Sequence, residues 1–279
     1  MFFAKKTMVY CVIYKLKCKI YAFPQNLLLK KMKRAFTLIF VTSIIMSMTP
    51  PLDFLQQQLK FPRVKEAYNE KNKVVKDLLT SKGINAASFD LFIRTFKKEQ
   101  KLEIWAKNKD YDTYSLIKAY EYCATSGQLG PKRRSGDRQI PEGFYNVDFF
   151  NPQSLYFLSF RVNYPNKSDL VFADKLNPGD NIFIHGHCVT IGCIPIGNDN
   201  IKELYLLAIM AKNSGGNINV HIFPTKMTDE NYKSLNNEFG TNADLLTFWS
   251  WLKPGFDVFE KSKKMPQIQI DASGKYIVK

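Results

Sequence analysis

A change of period near residue 90 constrains the fold of this chain more than any other feature. Before it, residues 59–80 carry Val64, Ala67, Tyr68, Val75, Leu78 and Leu79 at helical spacing. Pro62 suits a first helical turn and Gly83 a stop. After it the period drops to two. Phe92, Arg94 and Phe96 alternate with Ile93 and Thr95, and Leu102, Ile104 and Ala106 line one face. Polar breaks at 97–101 and 108–110 read as hairpin turns, and 114–123, 155–162 and 181–185 as further strands. A helix followed by meandering strands is an α+β pattern dominated by sheet.

Residues 200–212 form the clearest helix of the second part. Asn200 is expected to cap it, with Glu203 three residues on as in a capping box. Ile201, Leu204, Tyr205, Ala208 and Ala211 make its apolar stripe, and Gly215-Gly216 end it. Residues 217–223 read as a strand with Ile218, Val220 and Ile222 on one face and His221 on the other, structural or exposed. Helical segments at 242–252 and 256–263 are expected to be separated by Pro254-Gly255. A closing hairpin pairs 267–270 with 276–278 around Gly274.

The formal charge of +15 is unevenly placed. Residues 1–50 hold nine of the 40 Lys/Arg and none of the 25 Asp/Glu, which leaves 31 basic and 25 acidic residues for the rest. Lys132-Arg133-Arg134 is a basic run without a recognisable nucleic-acid module, so no nucleic-acid partner is expected. From Met32 the sequence reads MKRAFTLIFVTSIIMSMTPP, a basic start before an apolar run at 35–46. That run has the length of a signal-peptide core and is too short for a comfortable membrane span. Met32 is read as the true start; a genuine hydrophobic extension from residue 1 is the alternative. No A-x-A cleavage site follows, so an uncleaved segment could hold the protein at the inner membrane. The expected organisation is 1–50 as extension and signal or anchor segment, 51–87 as helical lead-in, and 88–279 as the main, sheet-rich domain.

The chemistry concentrates at residues 185–193, HGHCVTIGC. Two of the five cysteines and two of the three histidines fall in this stretch. One reading is structural, since free cysteines and lone histidines are commonly buried. A second is zinc, for which His185, His187, Cys188 and Cys193 are competent ligands, although no paired C-x2-C or H-x3-H spacing is present. The third is a Cys–His nucleophilic site with Cys193 attacking and His185 as base, His187 being the rival. Gly192, immediately before Cys193, lets the backbone turn and brings amide N–H groups toward a reacting carbonyl. A backbone carbonyl, that of Gly186 or His187, is expected to orient the imidazole rather than Asp199. Such a pair is expected to keep Cys193 reactive below the free-thiol pKa of about 8.5. Cys123 and Cys188 could form a disulfide, which spacing alone leaves open.

The stretch resembles the active-site segment of L,D-transpeptidases with a YkuD-type catalytic domain, in their YafK-like branch. The common form has His-Gly, an insertion, then Ser/Thr-His-Gly-Cys. Here His185-Gly186 matches the first element and Thr190-Ile191-Gly192-Cys193 the second, with Ile191 replacing the second histidine and Pro195 a frequent arginine. The branch carries this shortened form, approximately HGxCxSxGC. GPKRRSGDRQIPEGFY at 130–145, FPTKMTDENY at 223–232 and FWSWLKPGFDVFE at 248–260 are similar to its other landmarks, so the resemblance covers about 89–279.

The resemblance implies a β-sandwich or partial barrel with peripheral helices. It implies Cys193 as nucleophile, His185 as base, and a loop shaped by Gly186, Thr190 and Gly192, the last giving an oxyanion N–H beside that of Cys193. Lys132, Arg138, Tyr145 and His187 are candidates for a substrate groove, their plainer reading being turn and surface residues. The implied activity is peptidoglycan L,D-transpeptidation in the periplasm or cell envelope, through a thioester formed on a stem peptide and without metal or cofactor. A hydrolase of the same fold and a catalytically silent peptidoglycan-binding module are the alternatives; the oligomeric state stays open.

Overall fold

The computed structural model describes residues 53–279, which fall in one compact unit. The expected signal or anchor segment lies outside the described residues. Among these, no helix is long and apolar enough to cross a membrane.

The single helix expected over 59–80 is present and begins at its proline, with a further short helix before it. Helix α1 (Phe54–Gln58) is capped by the Asp53 carboxylate, which accepts from the Gln56 N–H at 2.8 Å. Helix α2 (Pro62–Ser81) begins at the proline. Pro62 has no N–H to continue a helix from upstream, and its ring drives Phe61 to the extended region (φ −85°, ψ 129°). Val64, Ala67, Val75 and Leu79 of α2 are buried in the same core as helix α4 (Asn198–Asn213).

The alternating segments build an eight-stranded sheet. Strands β1 (Phe89–Phe96), β2 (Lys101–Asn108) and β3 (Ser115–Glu121) form the expected antiparallel meander. Strand β8 (Ile218–Phe223) lies parallel to β1, and β4 (Gly143–Asn151) antiparallel to β8. Beyond β4 come β5 (Ser159–Val162), β6 (Ile182–His185) and β7 (Ile194–Pro195), giving the order β3-β2-β1-β8-β4-β5-β6-β7. The first part of β4 pairs with β8 and the second with β5, with a bulge between Val147 and Phe149. A bulge bends a strand and increases its twist. The result is a half-barrel sheet flanked by helices, the partial-barrel form of the expected β-rich fold.

Three local expectations are corrected. Helix α4 starts at Asn198 after Gly197, with no side-chain cap; Asn200 donates to the Ile196 carbonyl instead. Glu203 is buried and takes Lys118 Nζ at 2.5 Å, the Tyr120 hydroxyl at 3.1 Å and Lys71 Nζ at 3.4 Å, which leaves no carboxylate for a capping box. Pro254-Gly255 does not divide the C-terminal helix, which runs unbroken as α6 (Ala243–Ser262). A Cβ at Gly255 would stand 2.6 Å from the Phe144 ring, so the missing side chain admits close packing of α6 on β4. Burial of Trp249, Leu252, Phe256 and Phe259 outweighs the proline cost of roughly 3 kcal/mol.

Short helices α3 (Lys167–Phe172) and α5 (Asp229–Glu238) complete the shell, together with the closing hairpin of β9 (Ile268–Ile270) and β10 (Tyr276–Val278). The α3 terminus has a full capping box between Asn166 and Asp169.

Candidate functional site

Strand β6 delivers His185 at its last residue, where the chain leaves the sheet. Gly186 follows because nothing larger fits: a Cβ there would stand 2.6 Å from Asn198 Oδ1 and 2.8 Å from the Tyr156 carbonyl oxygen. His187 takes a left-handed conformation (φ 54°), and its N–H donates to Asn198 Oδ1 at 2.8 Å. The loop closes through Thr190, whose Oγ1 accepts from the Gly192 N–H at 3.1 Å and donates to the Cys193 carbonyl at 2.8 Å. Gly192 (φ +140°) lies against the Gln139 carbonyl.

The loop returns the thiol to the strand it left. Strand β7 runs parallel to β6 with Ile194 opposite Ile184, which sets Cys193 beside Phe183. The Phe183 N–H donates to Cys193 Sγ at 3.4 Å. Phe183 and His185 are two residues apart on β6 and so face the same side. Among the described residues, no hydrogen bond joins Cys193 directly to His185.

His185 is 1% exposed and lies beneath the Tyr156 ring, with centroids 4.6 Å apart. Its Nδ1 is hydrogen-bonded to the Gly186 carbonyl oxygen. A carbonyl only accepts, so Nδ1 carries the proton and Nε2 keeps its lone pair. Asp199 is engaged elsewhere, in an ion pair with Lys71 at 2.7 Å. Burial lowers the His185 pKa below its usual value, and the neighbouring His187 adds to this, against the opposing bond to Gly186.

Cys193 is a free thiol, whereas Cys123 and Cys188 are joined in a disulfide with Cα atoms 5.2 Å apart. The disulfide ties the loop to the end of β3 and removes Cys188 as a thiolate ligand. Among the described residues, no group of three or more His, Cys, Asp or Glu is placed to hold a metal ion. Burial raises the Cys193 pKa; the Phe183 N–H and the charge of Lys132 pull the other way. The two shifts favour a neutral thiol beside a neutral imidazole, in place of the expected low-pKa thiolate.

The groove candidates separate. Lys132 is buried, with Nζ 2.6 Å from Asp137 Oδ1 and 2.9 Å from the Arg134 carbonyl, close enough to influence Cys193. Arg138 is exposed next to Gln139, which backs Gly192. His187 is exposed and meets the Tyr156 ring edge-on at 6.3 Å. Tyr145 is a correction: β4 turns it inward opposite Val220, and it is buried with its hydroxyl 3.0 Å from Asp169 Oδ2. Gly192 is partly corrected, since Thr190 already holds its N–H; among the described residues the Cys193 N–H has no partner. Sequence reasoning missed Tyr156, Asn198 and Asp137. Only Asp137 stood inside a quoted motif.

The model of the family described as L,D-transpeptidase catalytic domain (YkuD) matches residues 90–221, which include both His185 and Cys193. The chain is 36% identical over 191 residues to the "Putative L,D-transpeptidase YafK" of Escherichia coli (strain K12), covering 67% of this chain and 73% of that one. Among solved structures it is similar to the helical cell shape determining protein Pgp2 from Campylobacter jejuni, at 18% identity, TM-score 0.40, over 71% of this chain and 80% of that one. Bd1075 of Bdellovibrio bacteriovorus is similar at 23% identity and TM-score 0.37, over 67% and 78% of the two chains.

Proposed function

This chain belongs to the L,D-transpeptidase family, and on that premise we propose that it is a cysteine acyltransferase acting on peptidoglycan stem peptides. The observation that carries the reading is the bond from His185 to the Gly186 carbonyl, which leaves a basic Nε2 on the strand that flanks the free thiol of Cys193. Nε2 takes the Cys193 proton as Sγ attacks the carbonyl of a diamino-acid residue. The C–N bond to the following D-amino acid then breaks, and His185 returns the proton to the departing amine. A thioester remains on Cys193. An acceptor amine attacks it, releases the thiol and forms the cross-link. The open Cys193 N–H is the donor for the tetrahedral oxyanion, while Gly192 and Thr190 hold the loop.

The protein is proposed to work in the periplasm or cell envelope. The disulfide supports this, because such bonds persist in oxidising compartments. A fusion starting at Met32 is expected to cross the cytoplasmic membrane and one starting at Asp53 to stay inside; equal export of both removes this part of the proposal.

Incubation of the full chain with defined muropeptides, followed by mass spectrometry, tests the chemistry. A thioester on Cys193 and a cross-linked product are expected, both lost in Cys193→Ala and largely kept in Cys188→Ala. Trimmed peptide without cross-link makes the protein a hydrolase, and no adduct at all makes it a binding module.

A further inference from the structure

His221, the third histidine, has no part in this mechanism. It is 3% exposed, wedged between Phe92 and Phe144 with ring centroids 4.6 and 4.7 Å away. Its Nδ1 is buried with no hydrogen-bond partner. An orphaned polar atom at depth costs about 1–3 kcal/mol. The ring lines a cavity of about 470 Å³, within the rough range of small-molecule sites.

Register explains what surrounds it. On β8 and β4, His221 is opposite Phe144 and Asn219 is opposite Asn146. Residues two apart share a face, so both asparagines stand on the side of the sheet that holds His221. Both line the cavity, and among the described residues neither carboxamide has a hydrogen-bond partner. Asn166, also in the lining, is fully used in the α3 cap and in bonds to Phe144 and Tyr276. Across the cavity, Pro266, Ile268 and Ile270 supply an aliphatic wall. Lys167 is the charged lining residue and is exposed at the rim.

We propose that this cavity is a binding site for an N-acetylated hexosamine unit. Neutral groups alone occupy the floor: two carboxamides and an imidazole that burial and the nearby Arg94 hold uncharged. A stem peptide, with carboxylates and an ammonium group, would call for charged partners at depth. A plain hexose leaves the aliphatic wall unused. An acetamido group pairs its N–H and C=O with Asn146 and Asn219 and lays its methyl on Ile268 and Ile270. Naming the glycan strand as the source rests on the peptidoglycan reading above; the binding itself does not involve Cys193.

Two-dimensional NMR of the full chain, titrated with chitotriose, tests the site. Saturable shifts centred on Asn146, Asn219 and His221 are expected. Cellotriose, which lacks the acetamido group, is expected to bind about tenfold more weakly or worse, and a free stem peptide not to compete. Asn219→Ala and Asn146→Ala, at partly exposed positions, are expected to weaken chitotriose about tenfold while leaving thioester formation on Cys193 unchanged. Absence of saturable shifts, equal binding of cellotriose, competition by the peptide, or unaltered affinity in both variants overturns the proposal. Chitotriose binding without any thioester chemistry upholds this site and sinks the catalytic reading; thioester chemistry without chitotriose binding does the reverse.

Discussion

The imidazole of His185 is oriented by the carbonyl oxygen of Gly186, its own neighbour in the chain. A neutral acceptor fixes the tautomer without a carboxylate's charge, so the ring stays a weak base suited to a thiol. The bond depends on the chain turning where no side chain fits. Gly186→Ala would drive a methyl into Asn198 Oδ1 and the Tyr156 carbonyl, at 2.6 and 2.8 Å. The carbonyl must shift, and the ring with it. Thioester formation is expected to fall about a hundredfold, the scale of a misplacement near 1 Å, with the fold retained. Single-turnover rates beside a thermal melt check this; a full rate in a folded variant contradicts the orienting role.

The resting protonation state gives a second prediction. Burial raises Cys193 and lowers His185, so the pair rests uncharged. Alkylation of Cys193 by iodoacetamide is expected to rise only above the ordinary thiol range near 8.5. Turnover needs His185 unprotonated, and its depressed pKa moves the acid limb of the rate profile below about 6.5. His185→Ala is expected to cut thioester formation by about 10²–10⁴ while barely moving the alkylation profile. A reactive shoulder well below pH 8.5 that vanishes in His185→Ala would reveal a thiolate–imidazolium pair instead.

Much of this was legible beforehand, for identifiable reasons. The meander of β1 to β3 and the helix at 198–213 announce themselves by period. Cys193 and His185 stand in one short motif, so local sequence suffices for them. Strand β4 escaped because Asn146, Asp148 and Asn151 interrupt its apolar residues and its two halves serve different neighbours. Tyr145 was misjudged for the same reason, since only pairing with β8 turns it inward. Tyr156 covers His185 from 29 residues upstream, a relation that β5–β6 pairing creates and no spacing encodes. Glu203 had the position of a cap, but burial beside Lys118 and Tyr120 outranked it.

The Cys123–Cys188 bond closes a chain separation of 65 residues. Chain entropy puts its stabilisation at about 4 kcal/mol. Replacing both cysteines by serine is expected to lower the unfolding free energy by up to that amount, and the denaturant midpoint with it. The loop from His187 to Gly192 keeps its bonds to Asn198 and within Thr190, so Cys193 chemistry is expected to persist at a rate reduced severalfold. Denaturant melts and adduct formation in the double variant measure the two effects. An unchanged midpoint would mean that the bond contributes nothing to the fold.

His221 makes stability depend on acid. Burial and the charge of Arg94 push its pKa down to about 3, from an ordinary 6.5. Below pH 6.5 the unfolded chain takes up a proton that the fold refuses until near pH 3, so stability is lost as pH falls through that window. At about 1.36 kcal/mol per pH unit, the loss reaches roughly 3 kcal/mol by pH 4. Asp169 works in the opposite direction, since burial raises it to about 6 and the fold then holds a proton before the unfolded chain does. Comparison with His221→Phe cancels that contribution, because both proteins keep Asp169. The stability of the wild type relative to the variant is expected to drop by about 3 kcal/mol between pH 7 and pH 4. Urea melts at both pH values measure it, and a difference that stays constant with pH would mean that His221 is not held neutral in the fold.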